Sequence, residues 1–345
     1  MRMFSRSLAA ASLAVASPIV AQPQDRVLEV PPTKSWQHAA TGMILPPVAA
    51  GLTRGAIIDN SSAEQDVGAA YGGEEGLTTS VYLFQTPLAD PAVWTDRALA
   101  AIALRPDLGL DPASVPAAIP FKRPGASAAS GLRATLPLSA SGLTATAVAL
   151  APLDGWLVKI RMTSDRLDRA ALDARLTAFL EALRWPAETR PAPATAAVVA
   201  CPDSLSFKKA KTVKDSMGDV LMSALAGTVQ ADQVEKGETR SAVYCREPGP
   251  LKTYAVYRPD RSRAAYVIAL GDAGEALRLE PALSLDGLGS GKSSGGRVAM
   301  TSMKHATISV LPSFNRLPSP EQALSVAFSG KPRETISVTT SPGKD

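Results

Sequence analysis

The sequence of 345 residues contains only two histidines and two cysteines. Two histidines cannot form a histidine-rich metal centre, and two cysteines cannot form a four-cysteine zinc site or an iron–sulfur cluster. Aromatic residues are also few, with 7 Phe, 4 Trp and 6 Tyr. We therefore expect no metal and no cofactor, and a core built mainly from Leu, Val and Ile.

The charge balance excludes another class of protein. There are 36 Lys and Arg residues against 32 Asp and Glu, whereas nucleic-acid-binding proteins concentrate basic residues on one surface. One short basic run, Lys208, Lys209, Lys211 and Lys214, is interpreted as a solvated face beside a helix start. The hydrophobic fraction of 46% excludes a largely disordered chain. We expect no nucleic-acid partner.

The first residues are typical of a secretory signal peptide. Arg2 and Arg6 precede the short apolar stretch Leu8–Val15, and small residues follow. Cleavage is predicted after Ala21, with Ala16 as the alternative. A spanning helix needs about 20 apolar residues, so the stretch is too short to be one. We expect a signal peptide at 1–21, a periplasmic or secreted protein, and no transmembrane segment after cleavage.

Cys201 and Cys245 are the two cysteines of the chain. An even pair in an exported protein favours a structural disulfide. The alternative, a catalytic thiol, lacks both a Cys-x-x-Cys spacing and a histidine nearby in sequence. We therefore predict a Cys201–Cys245 disulfide that stabilises the second half of the chain.

A segment rich in proline, alanine and threonine, residues 186–200, divides the chain. Such a composition is typical of an extended linker. We predict two domains, 22–185 and 201–345. Their strand and helix patterns predict an α+β fold, in which each domain is an antiparallel-rich sheet with a few packed helices.

Several local signals support this prediction in the first domain. Thr78–Thr86 alternates as a strand does, and Asp90 followed by Pro91 predicts a helix start. Asp154–Gly155 predicts a tight turn between two strands. Asp165–Trp185 predicts the clearest helix of the chain. The proline-rich segment Arg105–Gly131 is interpreted as a long loop.

The second domain is predicted to contain several strands and two helices. One helix is expected over Val213–Ala226, and Ser319–Gln322 has the pattern of a capping box that starts another. A final strand is expected over Thr335–Thr339.

The glycine-rich segment Gly287–Gly296 contains two motif fragments. Gly291–Ser293 copies the end of a phosphate-binding loop, but Asp286 stands where that loop needs its first glycine. Gly291–Gly295 matches G-x-S-x-G without the strand and helix that a nucleophile elbow requires. We interpret the segment as a hairpin loop.

A few other residues could in principle carry chemistry. Ser206 and Lys209 match the short S-x-x-K pattern of penicillin-binding enzymes, but the companion motifs are missing. His38 is expected at the surface and His305 in a turn, and neither has a second metal ligand at helical or strand spacing. Pairs of acids such as Asp165 and Asp168 are interpreted as helix-start groups.

Aromatic residues could form a ligand cleft in either predicted domain, and Tyr71, Tyr82, Phe84 and Trp94 cluster in the first. Tyr244, Tyr254, Tyr257 and Tyr266 lie on adjacent predicted strands. Packing in a core or on the sheet would explain them, and a binding face on the sheet is the alternative, because tyrosine suits wet interfaces.

The segments Gly51–Arg54, Val67–Tyr71 and Thr79–Phe84, together with Gly155–Thr163 before a long helix, resemble uncharacterised exported bacterial proteins. The order of strands and terminal helix is also similar to that of PsbP-like α/β/α sandwiches. The resemblance covers about the first half of the chain and carries no catalytic residue. It implies a non-enzymatic role in the cell envelope.

Three functional hypotheses follow, the last of which is a structural subunit of an envelope complex. The first is an exported, non-catalytic protein that binds a small ligand or an envelope protein. The alternative is an exported hydrolase that depends on serine or carboxylate groups brought together from distant segments. A deep polar pocket with Ser206 and Lys209, or with two carboxylates, at its base would favour the alternative.

Overall fold

The computed structural model describes residues 25–61, 63–74, 76–111, 115–213, 242–282, 296–329, 332 and 334–337. The predicted signal peptide at 1–21 lies outside these residues. So do the predicted helix Val213–Ala226 after its first residue and the glycine-rich segment before Gly296. Below, the described residues up to 185 are called the N-terminal half, and those from 199 onward the C-terminal half.

The N-terminal half contains an antiparallel sheet of nine strands among the described residues, called the first sheet. Its order is β1-β5-β6-β7-β11-β10-β9-β8, and β4 pairs with β5. The strands β2 and β3 form a separate hairpin. The bounds are β1 Arg26–Leu28, β2 Trp36–Gln37, β3 Ile44–Leu45, β4 Val48–Ala49, β5 Leu52–Asp59, β6 Asp66–Gly72, β7 Leu77–Gln85, β8 Ile119–Phe121, β9 Gly131–Pro137, β10 Ala145–Leu153 and β11 Trp156–Ser164.

The C-terminal half contains a second sheet, in which eight strands follow one another in chain order among the described residues. Only β12 and β13 are parallel. The bounds are β12 Val199–Ala200, β13 Tyr244–Arg246, β14 Tyr254–Pro259, β15 Tyr266–Leu270, β16 Glu275–Pro281, β17 Val298–Lys304, β18 Thr307–Phe314 and β19 Glu334–Ser337. The two sheets confirm the expected antiparallel-rich architecture.

Three α-helices are described: α1 Pro91–Ala103, α2 Arg169–Ala182 and α3 Pro320–Ser329. Asp90 caps α1 as predicted, because its carboxylate accepts hydrogen bonds from the amides of Ala92 and Val93. The capping box of α3 also forms, with Ser319 and Gln322 each bonding the other's backbone amide. The helix α2 begins later than predicted, since Asp168 serves as its N-cap.

The described residues form five layers, in the order α2, first sheet, α1, second sheet, α3. One core joins α2 to the first sheet, a second surrounds α1, and a third joins α3 to the second sheet. Side chains along β15 alternate between the last two cores: Tyr266 and Ile268 face α3, whereas Val267 and Ala269 face α1. Both faces of each sheet are therefore partly covered.

The helix α1 is buried on almost every side because it lies between the sheets. Polar contacts reinforce this packing at the turn between β15 and β16. Arg97 Nε donates to the carbonyl of Gly271 (2.8 Å), and Thr86 Oγ1 donates to that of Gly274 (2.8 Å). Lys159 Nζ contacts both the carbonyl and the carboxylate of Asp272, at 2.9 and 2.7 Å. The two halves thus share one core and a set of direct hydrogen bonds.

The proline-rich segment at 186–200 runs along the N-terminal half. The amide of Thr195 donates to the carbonyl of Ala129 (3.1 Å), and Ala197 and Val198 pack against the core around α1. The segment Arg105–Gly131, predicted to be a loop, contains the edge strand β8, which pairs with β9. Pairing with β9, the next strand along the chain, rather than local periodicity, creates this short element.

The predicted disulfide between Cys201 and Cys245 is confirmed. It joins the end of the proline-rich segment to β13. Among the described residues, no helix is both long enough and apolar enough to cross a membrane.

Candidate functional site

A groove of about 430 Å³ lies beside α1, where the N-terminal half, the proline-rich segment and the C-terminal half meet. We call it the inter-half groove. Its apolar walls come from one side of α1, from Val115–Ala118, from Ala197 and Val198, and from Leu251. Its volume is within the range of small-molecule sites, about 300–1,000 Å³.

Small side chains on α1 keep the groove open. Ala92, Ala100 and Ala103 are alanines that line it, and Leu99 lies between them. Helical residues three or four apart share a face, so Ala92, Ala100 and Ala103 follow one side of α1. Trp94 and Ile102 also belong to the core around α1 but do not line the groove. The groove therefore lies along an alanine-rich side of an otherwise tightly packed helix.

A polar cluster from both halves forms one part of the groove wall. Arg246 Nη1 donates to both carboxylate oxygens of Asp96, at 2.9 and 3.3 Å. The hydroxyl of Tyr257 donates to Asp96 Oδ2 at 2.6 Å. Burial, followed by the Asp96 charge, raises the pKa of Tyr257 well above its usual value. The phenol therefore stays protonated and donates to Asp96 at neutral pH.

Thr95 also lines the groove, and its side chain is 1% exposed. Its hydroxyl has no hydrogen-bond partner in the described part of the chain. A buried hydroxyl without a partner costs about 1–3 kcal/mol, so most such groups in proteins are satisfied. Thr95 is therefore a candidate polar contact for a molecule bound in the groove.

The disulfide holds two walls of the groove together. Cys245 precedes Arg246 in β13, and the amide of Cys201 donates to the carbonyl of Arg246 at 2.8 Å. Ala197 and Val198 lie a few residues before Cys201. The bond thus fixes the wall formed by the proline-rich segment against the strand that carries Arg246.

No protein-family model, curated protein or solved structure matches this chain. The sites that the sequence suggested are therefore compared with the groove by their geometry alone.

The four tyrosines of the predicted binding face do not share a surface. Tyr244 and Tyr257 belong to the core around α1, whereas Tyr254 and Tyr266 belong to the core beneath α3. Tyr257 and Tyr266 are fully buried. The four tyrosines lie on three adjacent strands and on both faces of the second sheet. Of the four, only Tyr257 contributes to the groove, through its hydrogen bond to Asp96. Their role as a common ligand-binding set stays a prediction without a shared face to support it.

The serine–lysine pattern is placed unfavourably for catalysis. Ser206 and Lys209 are both exposed, and neither lines the inter-half groove or the second cavity described next. A serine nucleophile needs a base within hydrogen-bond reach in a site that stabilises developing charge.

A second cavity of about 500 Å³ lies beside the start of α2 and contains two carboxylates, Asp168 and Asp173. Asp168 caps α2 through the amide of Ala171, and Asp173 accepts from Thr135 and pairs with Arg133. Neither carboxylate is buried, whereas general acids of hydrolases depend on burial to raise the pKa. Both acids are thus explained by local structure. Within the described ranges, no group of His, Cys, Asp and Glu could hold a metal ion.

His38 is buried, at 1% exposure, so the expectation that it lies at the surface is wrong. Its Nδ1 lies 2.9 Å from Thr41 Oγ1, and its Nε2 lies 3.0 Å from the carbonyl of Glu64. Because a carbonyl can only accept, Nε2 carries the proton in the neutral ring. The ring also packs edge-on against Trp156, with centroids 4.6 Å apart. His38 is therefore a satisfied core residue. His305 lies in the turn between β17 and β18, as predicted.

We expect His38→Gln to reduce the acid sensitivity of the fold. Burial lowers the pKa of His38 below its usual 6.5, although Glu64 and Asp59 partly oppose this effect. The unfolded chain therefore binds a proton at His38 before the folded chain does, and the free energy of unfolding falls as pH drops below 6.5. Urea denaturation at several pH values measures this slope, which should be shallower in the variant. Equal slopes in the parent chain and the variant would show that His38 does not cause the acid sensitivity.

Sequence reasoning missed the polar members of the groove, Thr95, Asp96 and Arg246. The side of α1 that lines the groove is rich in alanine, which gives no local signal of a binding site. Arg246 follows a disulfide cysteine directly, which was its only local signal. Its partner Asp96 is 150 residues away in the chain.

Proposed function

We propose that this chain is an exported, non-catalytic binding protein and that the inter-half groove is its ligand site. The observation that carries the proposal is a groove lined mostly by apolar side chains, with the buried, unpartnered hydroxyl of Thr95 in its wall. An apolar cavity with a few convergent polar groups is the usual form of a small-molecule site.

Export is part of the proposal. The signal-like residues 1–21 and the Cys201–Cys245 disulfide both support an oxidising compartment, periplasmic or extracellular. A division into two domains, 22–185 and 201–345, is retained as a proposal as well. The shared core around α1 and the polar bonds at the β15–β16 turn would then form the domain interface.

The binding proposal is favoured over the hydrolase alternative by the placement of the reactive side chains. Ser206 and Lys209 are exposed and lie outside both cavities, and the two carboxylates of the second cavity serve in a helix cap and an ion pair. The groove carries one carboxylate, Asp96, whose charge is matched by Arg246.

Binding of N-phenylnaphthylamine tests the proposal. This neutral probe fluoresces strongly in apolar surroundings, so titration of the purified exported chain, which should begin at Gln22, should give saturable fluorescence. Ala100→Leu fills the groove and should weaken binding at least about tenfold, because a leucine side chain occupies the probe's space.

Ala101→Leu is the matched control, because Ala101 is adjacent on α1, is partly exposed and does not line the groove. It should bind the probe as the parent chain does. Ala117→Leu provides a second test at an exposed position of the groove, where the substitution should not disturb folding. No saturable binding, or equal binding by the Ala100 and Ala101 variants, would refute the proposal.

A further inference from the structure

Arg246 is the cationic side chain that lines the inter-half groove, and Asp96 is the carboxylate that lines it. Asp96 is paired with Arg246, and the neighbouring Arg97 is buried. Arg97 donates to the backbone carbonyls of Gly271 and Lys252, which are neutral acceptors. Arg97 is engaged by these carbonyls and does not line the groove, so Arg246 is the cation that a bound anion would contact.

Arg246 retains donor capacity for such an anion. Among the described residues its side chain donates only from Nη1, to Asp96, and 40% of the side chain is exposed. A guanidinium has five N–H groups, and its fork matches a carboxylate through two parallel hydrogen bonds. The face of Arg246 turned away from Asp96 can thus receive an acidic group. The unpartnered hydroxyl of Thr95, next to Asp96 in the chain, lines the same groove.

Away from this cluster the groove becomes apolar along α1. At 1.5 Å per residue, the helix runs about 10 Å from Asp96 to Ala103. Over this length the groove is lined by Leu99, Ala100 and Ala103, and Val198 and Leu251 also line it. The alanines leave room for a narrow chain, and the apolar walls favour hydrocarbon.

We propose that the inter-half groove binds a single-chain amphipathic molecule with an anionic head group, of the fatty-acid class. The head group pairs with Arg246, and the hydrocarbon chain lies along the alanine-rich side of α1. This inference rests on the proposed function, since it names the ligand class for the same site.

Dodecanoate and dodecanol are a matched pair of probes, because they share the chain and differ in the charge of the head group. Isothermal titration of the full exported chain should show dodecanoate binding at least about tenfold more tightly than dodecanol, since a hydrogen bond to a charged group contributes about 1.5–3 kcal/mol. Dodecanoate should also displace N-phenylnaphthylamine.

Variants at the polar cluster should change the affinity for dodecanoate and the affinity for dodecanol by different amounts. Arg246→Met should weaken dodecanoate about tenfold and leave dodecanol unchanged, because only the charged head uses the guanidinium. Asp96→Asn should strengthen dodecanoate severalfold, since it removes a competing carboxylate while Asn keeps the side-chain shape. The opposite directions of these two effects separate head-group recognition from damage to the fold, and the melting temperature of each variant checks that it is folded.

The outcomes distinguish this inference from the proposed function. If the neutral probe binds and Ala100→Leu blocks it, but dodecanoate fails to displace it, the ligand class is wrong and the binding site stands. Equal affinities for dodecanoate and dodecanol, or an Asp96→Asn variant that binds dodecanoate less tightly, would also overturn the ligand class. If neither the probe nor the fatty acid binds, both proposals fall.

Discussion

Trp94→Ala is expected to lower the free energy of unfolding by about 3–5 kcal/mol, the usual cost of removing a fully buried large aromatic side chain. Trp94 is 0% exposed and lies in the core that surrounds α1. Its Nε1 donates to the carbonyl of Leu88 at 2.6 Å, and its ring meets that of Phe84 nearly at a right angle. The variant loses these contacts and leaves a cavity in the core that joins the two sheets.

Guanidinium denaturation followed by circular dichroism measures the effect without relying on tryptophan fluorescence. Trp185→Ala is the matched control, because Trp185 is only partly buried although its Nε1 also donates to a carbonyl, that of Leu180, at 2.8 Å. Its loss should be less than half as large. If Trp94→Ala does not fold, Trp94→Phe keeps a ring and should lose about 1–2 kcal/mol. A Trp94 effect no larger than the Trp185 effect would show that α1 is not central to the core.

Removing the disulfide is expected to cost about 4 kcal/mol in the chain-entropy treatment of loop closure. Cys201 and Cys245 are separated by 44 residues, so the bond closes a long loop and greatly restricts the unfolded chain. Both sulfurs belong to buried residues, and we therefore choose Cys201→Ala with Cys245→Ala, which introduces no unsatisfied polar group. Denaturation of the oxidised chain, the reduced chain and the double variant measures the loss.

The reduced parent chain is the control, and its unfolding midpoint should match that of the double variant. We also expect the double variant to bind N-phenylnaphthylamine severalfold less tightly, because Ala197 and Val198 are then less firmly held against β13. An unfolding midpoint that does not respond to reductant would contradict the stabilising role. An unchanged affinity for the probe would show that the disulfide does not maintain the shape of the groove.

Much of the local structure was predictable from the sequence. Asp90 and Pro91 signalled the start of α1, and the Asp154–Gly155 turn forms between β10 and β11 with positive φ at both residues. Such signals depend on side chains that bond the backbone within a few residues, or on glycine's tolerance of left-handed conformations. The short strand β8 was not predicted, because three residues carry too little periodicity to indicate a strand.

Burial of single polar residues was less predictable. His38 was expected at the surface because its neighbours show weak periodicity, yet Thr41, Glu64 and Trp156 together make its burial favourable. Two of these three partners lie in distant segments. A buried polar side chain is acceptable only where partners satisfy its donors and acceptors, and that condition is met by the assembled fold.

The sequence alone determined the cysteine pairing, the starts of α1 and α3, the Asp154–Gly155 turn and the small number of histidines and cysteines, since these depend on composition and on neighbouring residues. Tertiary structure decided that α1 lies between two sheets and that a groove opens along its alanine-rich side. It also brought Asp96 to Arg246 and Tyr257 across 150 and 161 residues. The neighbouring sequence of each of these residues is that of an ordinary helix or strand. Only the packing of distant segments makes them one site.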